Sequence, residues 1–307
     1  MHLRILEEIL DYLPNLLHLD LSLSIVNPTN GLPNLIARPG GHLRKLKTLT
    51  FTWIYFTASV MDVIGCFNEV DSLVLRGVNY AYLENITPAT YHTPGGLRVR
   101  SLSFEGAMLD CFQTLKHRLD CSSGSLTTFA VDYASVTVSS DLEAALQDVG
   151  SNLLHLRFCY NLHYQTIFLS RCTRLQSLNL TLRWGLGCLP GYDGPMQWEG
   201  GMAMIRDGNL TSLTHLVLTL HCHIYAPVYL EKWSFTHHLE SVRWETLHEA
   251  TSRCTLLRNI KVGFMQGLKG HMVGGRDLYI PFVERLKGIL WRRIPERTRS
   301  LLDVGFP

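Results

Sequence analysis

Imidazole and thiolate side by side are the raw material of a zinc site, and the chain offers them as HCH at His221, Cys222 and His223, with His237 and His238 following. On an extended segment His221 and His223 point to the same side, as two ligands of one metal must. The same residues are accounted for by a strand running out into a loop, and their spacing is not diagnostic, so no metal is expected. GLGCLPG, with Gly185, Gly187 and Gly191, is the nearest approach to a phosphate-cradling loop. Its last interval is wrong, Pro190 interrupts it and no helix signal opens behind it, so no cofactor is expected. His155 and Cys159 could approach each other on one face of a strand, the pairing that activates a thiolate. No Gly-x-Ser-x-Gly elbow, HExxH helix or P-loop occurs, and the expectation is a protein that is not an enzyme. Arg285, Lys287, Arg292, Arg293, Arg297 and Arg299 make the C-terminal segment basic, but Glu284 and Glu296 dilute the charge to that of a solvated helix face.

These residues sit on a recurring element. The frame apolar-x-x-apolar-x-apolar appears as LLHLDL from Leu16, LKTLTF from Leu46, VDSLVL from Val70, VRSLSF from Val99 and LTTFAV from Leu126. It continues as LLHLRF from Leu153, LQSLNL from Leu175, LTHLVL from Leu213, LESVRW from Leu239 and LRNIKV from Leu257. The mean step is about 27 residues, within the range of leucine-rich repeats. Positions three, five and seven alternate with the apolar ones and should face solvent on a strand. Of those thirty residues only Val74, Ala130 and Val217 are plainly apolar.

Between frames the period shifts from 2 to 3.6, the mark of a returning helix. In SDLEAALQDVG, Ser140 and Glu143 have capping-box spacing, Leu142, Ala145, Leu146 and Val149 form one stripe, and Gly150 stops the helix. Leu109, Phe112, Leu115 and Leu119 predict another helix, and Ile5, Leu6, Ile9, Leu10 and Leu13 a third, before Pro14. The step from Leu175 to Leu213 is the longest, and its excess, GLGCLPGYDGPMQWEGG within residues 185–208, reads as a projecting Gly-rich loop. Phe282, Leu286, Ile289 and Leu290 suit a terminal helix over the last repeat. The expected fold class is α/β: a leucine-rich-repeat solenoid, or horseshoe, with a parallel concave sheet and convex helices, about ten irregular repeats. One domain over 1–307 is expected, with an N-terminal capping helix at 1–15, repeats at 16–263 and a C-terminal cap at 264–307.

Bulk properties narrow the partners. Twenty-eight basic against 26 acidic residues give a net charge of +2 over 307 residues, too weak a field to argue for nucleic acid or an anionic membrane. Eight scattered cysteines without a CxxC pair fit reduced thiols in the cytoplasm or nucleus. Sequons at Asn85, Asn179 and Asn209 have no entry signal beside them and are expected to be chance matches. No run is long enough to span a membrane.

LPNLLHLDLSL, LSRCTRLQSLNL, VDSLVLRGV and VERLKGILWRRIPERTRSLL resemble the fungal F-box leucine-rich-repeat proteins over nearly the whole chain. The resemblance implies a ubiquitin-ligase receptor whose repeats hold a protein substrate and whose F-box binds a Skp-type adaptor and cullin. The asparagine that follows the strand in regular repeats is present only at Asn161. The stretch before Leu16 is too short for an F-box, so adaptor and cullin are expected as partners only if one exists upstream. The alternative is a free-standing leucine-rich-repeat scaffold without a ubiquitin role. In either case the expected partner-binding residues are the charged and imidazole positions of the concave row: Arg76, Glu105, Asp132, His155, Arg157, His215, Arg243, Glu245 and Lys261.

Overall fold

Alternating apolar and polar residues favour strands with one buried face, and nine of the ten frames are strands in the computed structural model. The structure describes residues 9–22, 44–53, 55–56, 58–77, 79–80, 96–106, 110–120, 124–132, 138–160, 169–185, 194–223, 239–267 and 280–305. The chain divides into two compact units, Met1–Leu153 and Leu154–Pro307. It is α/β, with ten main strands that all run parallel, five in each unit, and helices in the returns.

The first unit contains, in chain order, β1 (His18–Ser22), β2 (Arg44–Thr52), β3 (Tyr55–Phe56), α1 (Ala58–Ile64), β4 (Phe67–Arg76), β5 (Asn79–Tyr80), β6 (Arg98–Glu105), α2 (Asp110–Leu115), β7 (Thr128–Asp132) and α3 (Val138–Val149). Strands β1, β2, β4, β6 and β7 lie side by side in that order, while β3 and β5 form a separate two-residue ribbon. The register aligns frame with frame: Leu19, Leu49, Leu73, Leu102 and Phe129 make one row, and Leu21, Phe51, Leu75, Phe104 and Val131 the next. From β2 onward every member of both rows is buried. Above them Val60, Met61 and Ile64 of α1, Cys111, Phe112 and Leu115 of α2, and the predicted stripe of α3 close the core. Phe104, Phe112 and Phe129 meet edge to face with centroids 5.7 to 6.5 Å apart, favourable for aromatic quadrupoles.

A second recurrence follows the strands. The residue after β2, β4 and β6 is left-handed, Trp53 at φ 54°, Gly77 at 58° and Gly106 at 62°. Each donates its N–H to the last carbonyl of the next strand: Trp53 to Arg76, Gly77 to Glu105 and Gly106 to Asp132, at 2.7 to 3.0 Å. Glycine suits this step because it has no Cβ to clash; tryptophan does not.

The second unit contains β8 (His155–Tyr160), β9 (Ser177–Gly185), α4 (Gly194–Asp207), β10 (His215–His223), α5 (Thr246–Thr251), β11 (Asn259–Gly267), α6 (Ile280–Arg293), α7 (Glu296–Arg299) and β12 (Leu302–Gly305). Its five strands are parallel neighbours in chain order. Leu156, Leu178, Leu216, Ile260 and Leu302 form one buried row; Phe158, Leu180, Leu218, Val262 and Val304 form the next. A shared turn leads into two of these strands. SRCTRL (170–175) and SRCTLL (252–257) each bury their cysteine and make the same pair of bonds: Cys172 N–H to Leu169 O with Leu175 N–H to Cys172 O, and Cys254 N–H to Thr251 O with Leu257 N–H to Cys254 O. Burial pushes the Cys172 thiol up to about 11 and raises that of Cys254.

Three sequence expectations are corrected here. LESVRW from Leu239 is not a strand: residues 239–241 are helical and 244–245 form a turn before α5. Leu239 and Val242 are buried before that turn and Leu247 and Ala250 after it, each pair at the three-residue step of a helix face. The tenth strand is instead β12, inside the region read as a C-terminal cap, paired with β11 from Ile260 with Leu302 to Gly263 with Gly305. Finally, half of the 185–208 insertion is helix α4, packed inward through Trp198, Met202 and Ile205 at helical spacing.

Gly194, Gly200 and Gly201 give α4 the composition of a loop. A Cβ on Gly200 would run into the Tyr160 hydroxyl, and one on Gly201 would lie 2.8 Å from Leu182 Cδ2, so the ends of both side chains would have to shift to admit it. Trp198 anchors the helix, its indole N–H donating to Thr246 Oγ1 at 2.9 Å and its ring lying 4.5 Å from that of Trp244. Trp244 in turn donates to Leu239 O at 2.8 Å.

Smaller differences concern helix ends. Helix α3 begins at Val138, which puts Ser140 inside it and not at its cap. Leu119 lies beyond α2 in an isolated parallel bridge to Leu97, and Leu109 lies outside the described residues. Residues 9–12 are helical and Leu10 is buried, whereas Ile5 and Leu6 lie outside the description. In α6 the expected Leu286, Ile289 and Leu290 are buried.

Candidate functional site

On each strand the residues between the buried leucines emerge on the opposite face. In the first unit the fifth positions run Asp20, Thr50, Val74, Ser103, Ala130, and the seventh Ser22, Thr52, Arg76, Glu105, Asp132, each a register neighbour of the next. Arg76, Glu105 and Asp132, three of the expected residues, are therefore consecutive. Arg76 Nε donates to Glu105 Oε2 at 2.8 Å. Both groups are partly exposed, so the pair is worth at most about 1 kcal/mol and orients the side chains more than it stabilises the unit. Thr52 Oγ1 donates to Asp20 at 3.4 Å. The face carries one arginine against three carboxylates, Asp20, Glu105 and Asp132, on a floor of serine, threonine, alanine and valine. Beside it the indole of Trp53 is 68% exposed.

The second unit presents a different balance. Its third positions are His155, Ser177, His215 and Asn259; its fifth are Arg157, Asn179, Val217, Lys261 and Asp303; its seventh are Cys159, Thr181, Thr219, Gly263 and Gly305. His155 and His215 are exposed, Arg157 and Lys261 half-buried, and Asp303 exposed. His215 Nδ1 lies 2.8 Å from Thr214 Oγ1, which also donates to Gln176 O at 2.9 Å. Arg183 and His221 are register neighbours further along β9 and β10, and both are buried.

Arg243 and Glu245 do not join this face. They lie in the turn before α5, where Arg243 contributes its carbonyl as acceptor to Thr246 Oγ1 at 2.7 Å and Trp198 Nε1 at 3.3 Å. Asp303 holds the corresponding place beside Lys261. Its signal was present in LDVG, where Leu302 and Val304 alternate around it, but two apolar residues are too few to identify a strand.

Among the described residues no group of three His, Cys, Asp or Glu has the arrangement of a metal site. The side chains of Cys222 and His223, and all of His237, His238, Gly187, Pro190, Gly191 and Asn161, lie outside the described residues. His155 and Cys159 share a face of β8, four residues apart. The basic C-terminal residues are dispersed: Arg285 pairs with Glu240 and Lys287 with Glu284, each at 2.8 Å, while Arg293 donates to Val242 O at 3.0 Å. No described helix is long and apolar enough to cross a membrane. Compared with family models, curated proteins and solved structures, the chain matches none.

Proposed function

We propose that this chain is a protein-recognition module of leucine-rich-repeat type, a solenoid whose polar strand faces bind a protein partner. Following its resemblance, we assign it as the substrate-binding part of an F-box type ubiquitin-ligase receptor. The observation that carries the reading is the division of labour in register: apolar rows fill the cores while short polar and charged side chains recur at positions three, five and seven. Such a surface is held rigid by its core, so its side chains are pre-organised and lose little freedom on binding. Its side chains can also be exchanged without disturbing the leucines below, as a recognition surface requires.

The test is crosslinking followed by mass spectrometry on the protein expressed from its natural locus in native extract. A partner crosslinked to partly exposed Glu105 or exposed His215, with Skp-type adaptor and cullin recovered alongside, is the expected result. A partner without adaptor or cullin would make the chain a free-standing scaffold. No partner enriched over a variant with both faces charge-reversed would remove the recognition reading.

A further inference from the structure

We propose that the outer face of α6 and its corner into α7 dock an acidic polypeptide segment, a second contact surface independent of the polar strand faces. Helix α6 buries Val283, Leu286, Ile289 and Leu290 and turns Glu284, Arg285, Gly288, Trp291 and Arg292 outward. The ion pairs of this helix, Arg285 with Glu240 and Lys287 with Glu284, use residues 284–287. Beyond them the balance changes: residues 291–300 hold Arg292, Arg293, Arg297 and Arg299 against Glu296 alone. Among the described residues none of these four arginines pairs with a carboxylate; Arg292 Nε donates to Gly288 O at 3.1 Å, Arg293 Nη1 to Val242 O at 3.0 Å and Arg299 Nη2 to Ile294 O at 2.9 Å. Carbonyls orient a guanidinium without neutralising it, so the corner keeps its positive charge. Arginine's planar fork matches a carboxylate bidentately, and complementarity selects a negatively charged partner.

Two further observations favour polypeptide over nucleic acid or membrane. Gly288 stands in the middle of α6 on its exposed side, three and four residues before Trp291 and Arg292, which share its face. Glycine is a poor helix former, and a Cβ there would meet nothing within 4 Å, so no described neighbour requires it. Its effect is a strip of bare backbone beside the indole of Trp291, 43% exposed, where another main chain can approach closely. Tryptophan and arginine are also the side chains in which interface energy concentrates. Single-stranded nucleic acid, by contrast, is held by rows of cations with several aromatic platforms. Here one exposed ring stands among the described side chains of α6, and Glu296, set between Arg293 and Arg297, would repel a phosphate chain or an anionic membrane. A polypeptide can set a neutral or basic residue against that glutamate.

The experiment uses the full chain, fluorescein-labelled oligo-glutamate and oligothymidylate of equal charge, and phosphatidylserine vesicles. Fluorescence anisotropy is expected to show oligo-glutamate bound more tightly than oligothymidylate, and more weakly as salt rises. Arg292→Glu with Arg297→Glu should weaken it at least about tenfold, whereas the same charge change at exposed Lys47 and Arg100 of the first unit should weaken it less than about twofold. Trp291→Ala should weaken it about fivefold or more, and Glu296→Lys should tighten it about threefold or more. Gly288→Leu fills the bare strip while improving helix propensity, so its expected loss of binding, about fivefold or more, does not come from unfolding. Circular dichroism establishes that each variant is folded, and the gain from Glu296→Lys keeps the test decisive if a loss variant is not. Absence of salt-sensitive peptide binding, equal loss in the charge-matched control or undiminished binding by Gly288→Leu overturns the proposal. So does tighter binding of oligothymidylate, or cosedimentation with the vesicles that the double arginine variant abolishes. These outcomes leave the strand-face reading untouched, since crosslinks at Glu105 and His215 test that separately.

Discussion

Replacing Gly106 and Gly77 singly with alanine measures what the left-handed step after each strand costs. Both glycines have φ near +60° and both donate to the next strand. A Cβ in this region costs about 1–2 kcal/mol, and alanine's smaller unfolded-state freedom returns about half of that. At Gly106 nothing lies within 4 Å of the added atom, so Gly106→Ala should cost about 1 kcal/mol from backbone strain alone. At Gly77 the Cβ would meet Trp53 Cε3 at 2.7 Å, so the indole must move as well. With Trp53 68% exposed, about a third of its surface is covered. Losing that cover, roughly 60–80 Å² at ~25 cal/mol per Å², adds up to about 2 kcal/mol. Gly77→Ala should therefore cost about 2–3 kcal/mol. Urea denaturation followed by circular dichroism gives both values. In a Trp53→Ala background the cost of Gly77→Ala should fall to that of Gly106→Ala, since the clash is gone. Equal costs for the two glycines in the native background, or a neutral Gly106→Ala, would refute the reasoning.

Trp198→Ala should cost about 3–5 kcal/mol in urea, because the ring is fully buried against Trp244; a change within about 0.5 kcal/mol would mean that 194–207 is not packed. The Cys172 thiol is raised from 9.0 to about 11 by burial, so the folded state holds its proton where the unfolded chain releases it. Its contribution is fully present below about pH 9 and is lost as pH rises through about 11, a decline on the order of 2–3 kcal/mol. Urea midpoints of Cys172→Ala should therefore fall less steeply between those pH values, and parallel slopes would count against the assignment. Exchanging the charges of the exposed pair, Arg243→Glu with Glu245→Arg, should leave capture of a partner by the second unit unchanged in pull-down.

The legible and illegible parts of the fold differ in one physical respect. Rows such as Leu73 beside Leu102 and Leu178 beside Leu216 were readable because period-2 burial repeats over a whole frame and the intervening serines and threonines alternate with it. LESVRW is misleading because Leu239 and Val242, three positions apart, suit one helix face as well as the strand frame, and the deciding leucine, Leu247, lies beyond the frame. Helix α4 misleads for the opposite reason. Gly200 and Gly201 depress helix propensity in the sequence, and the benefit that offsets this, close approach to Tyr160 and Leu182, is tertiary. Trp53 was equally unreadable: nothing in LTFTW marks the left-handed step that Gly77 and Gly106 announce by being glycine.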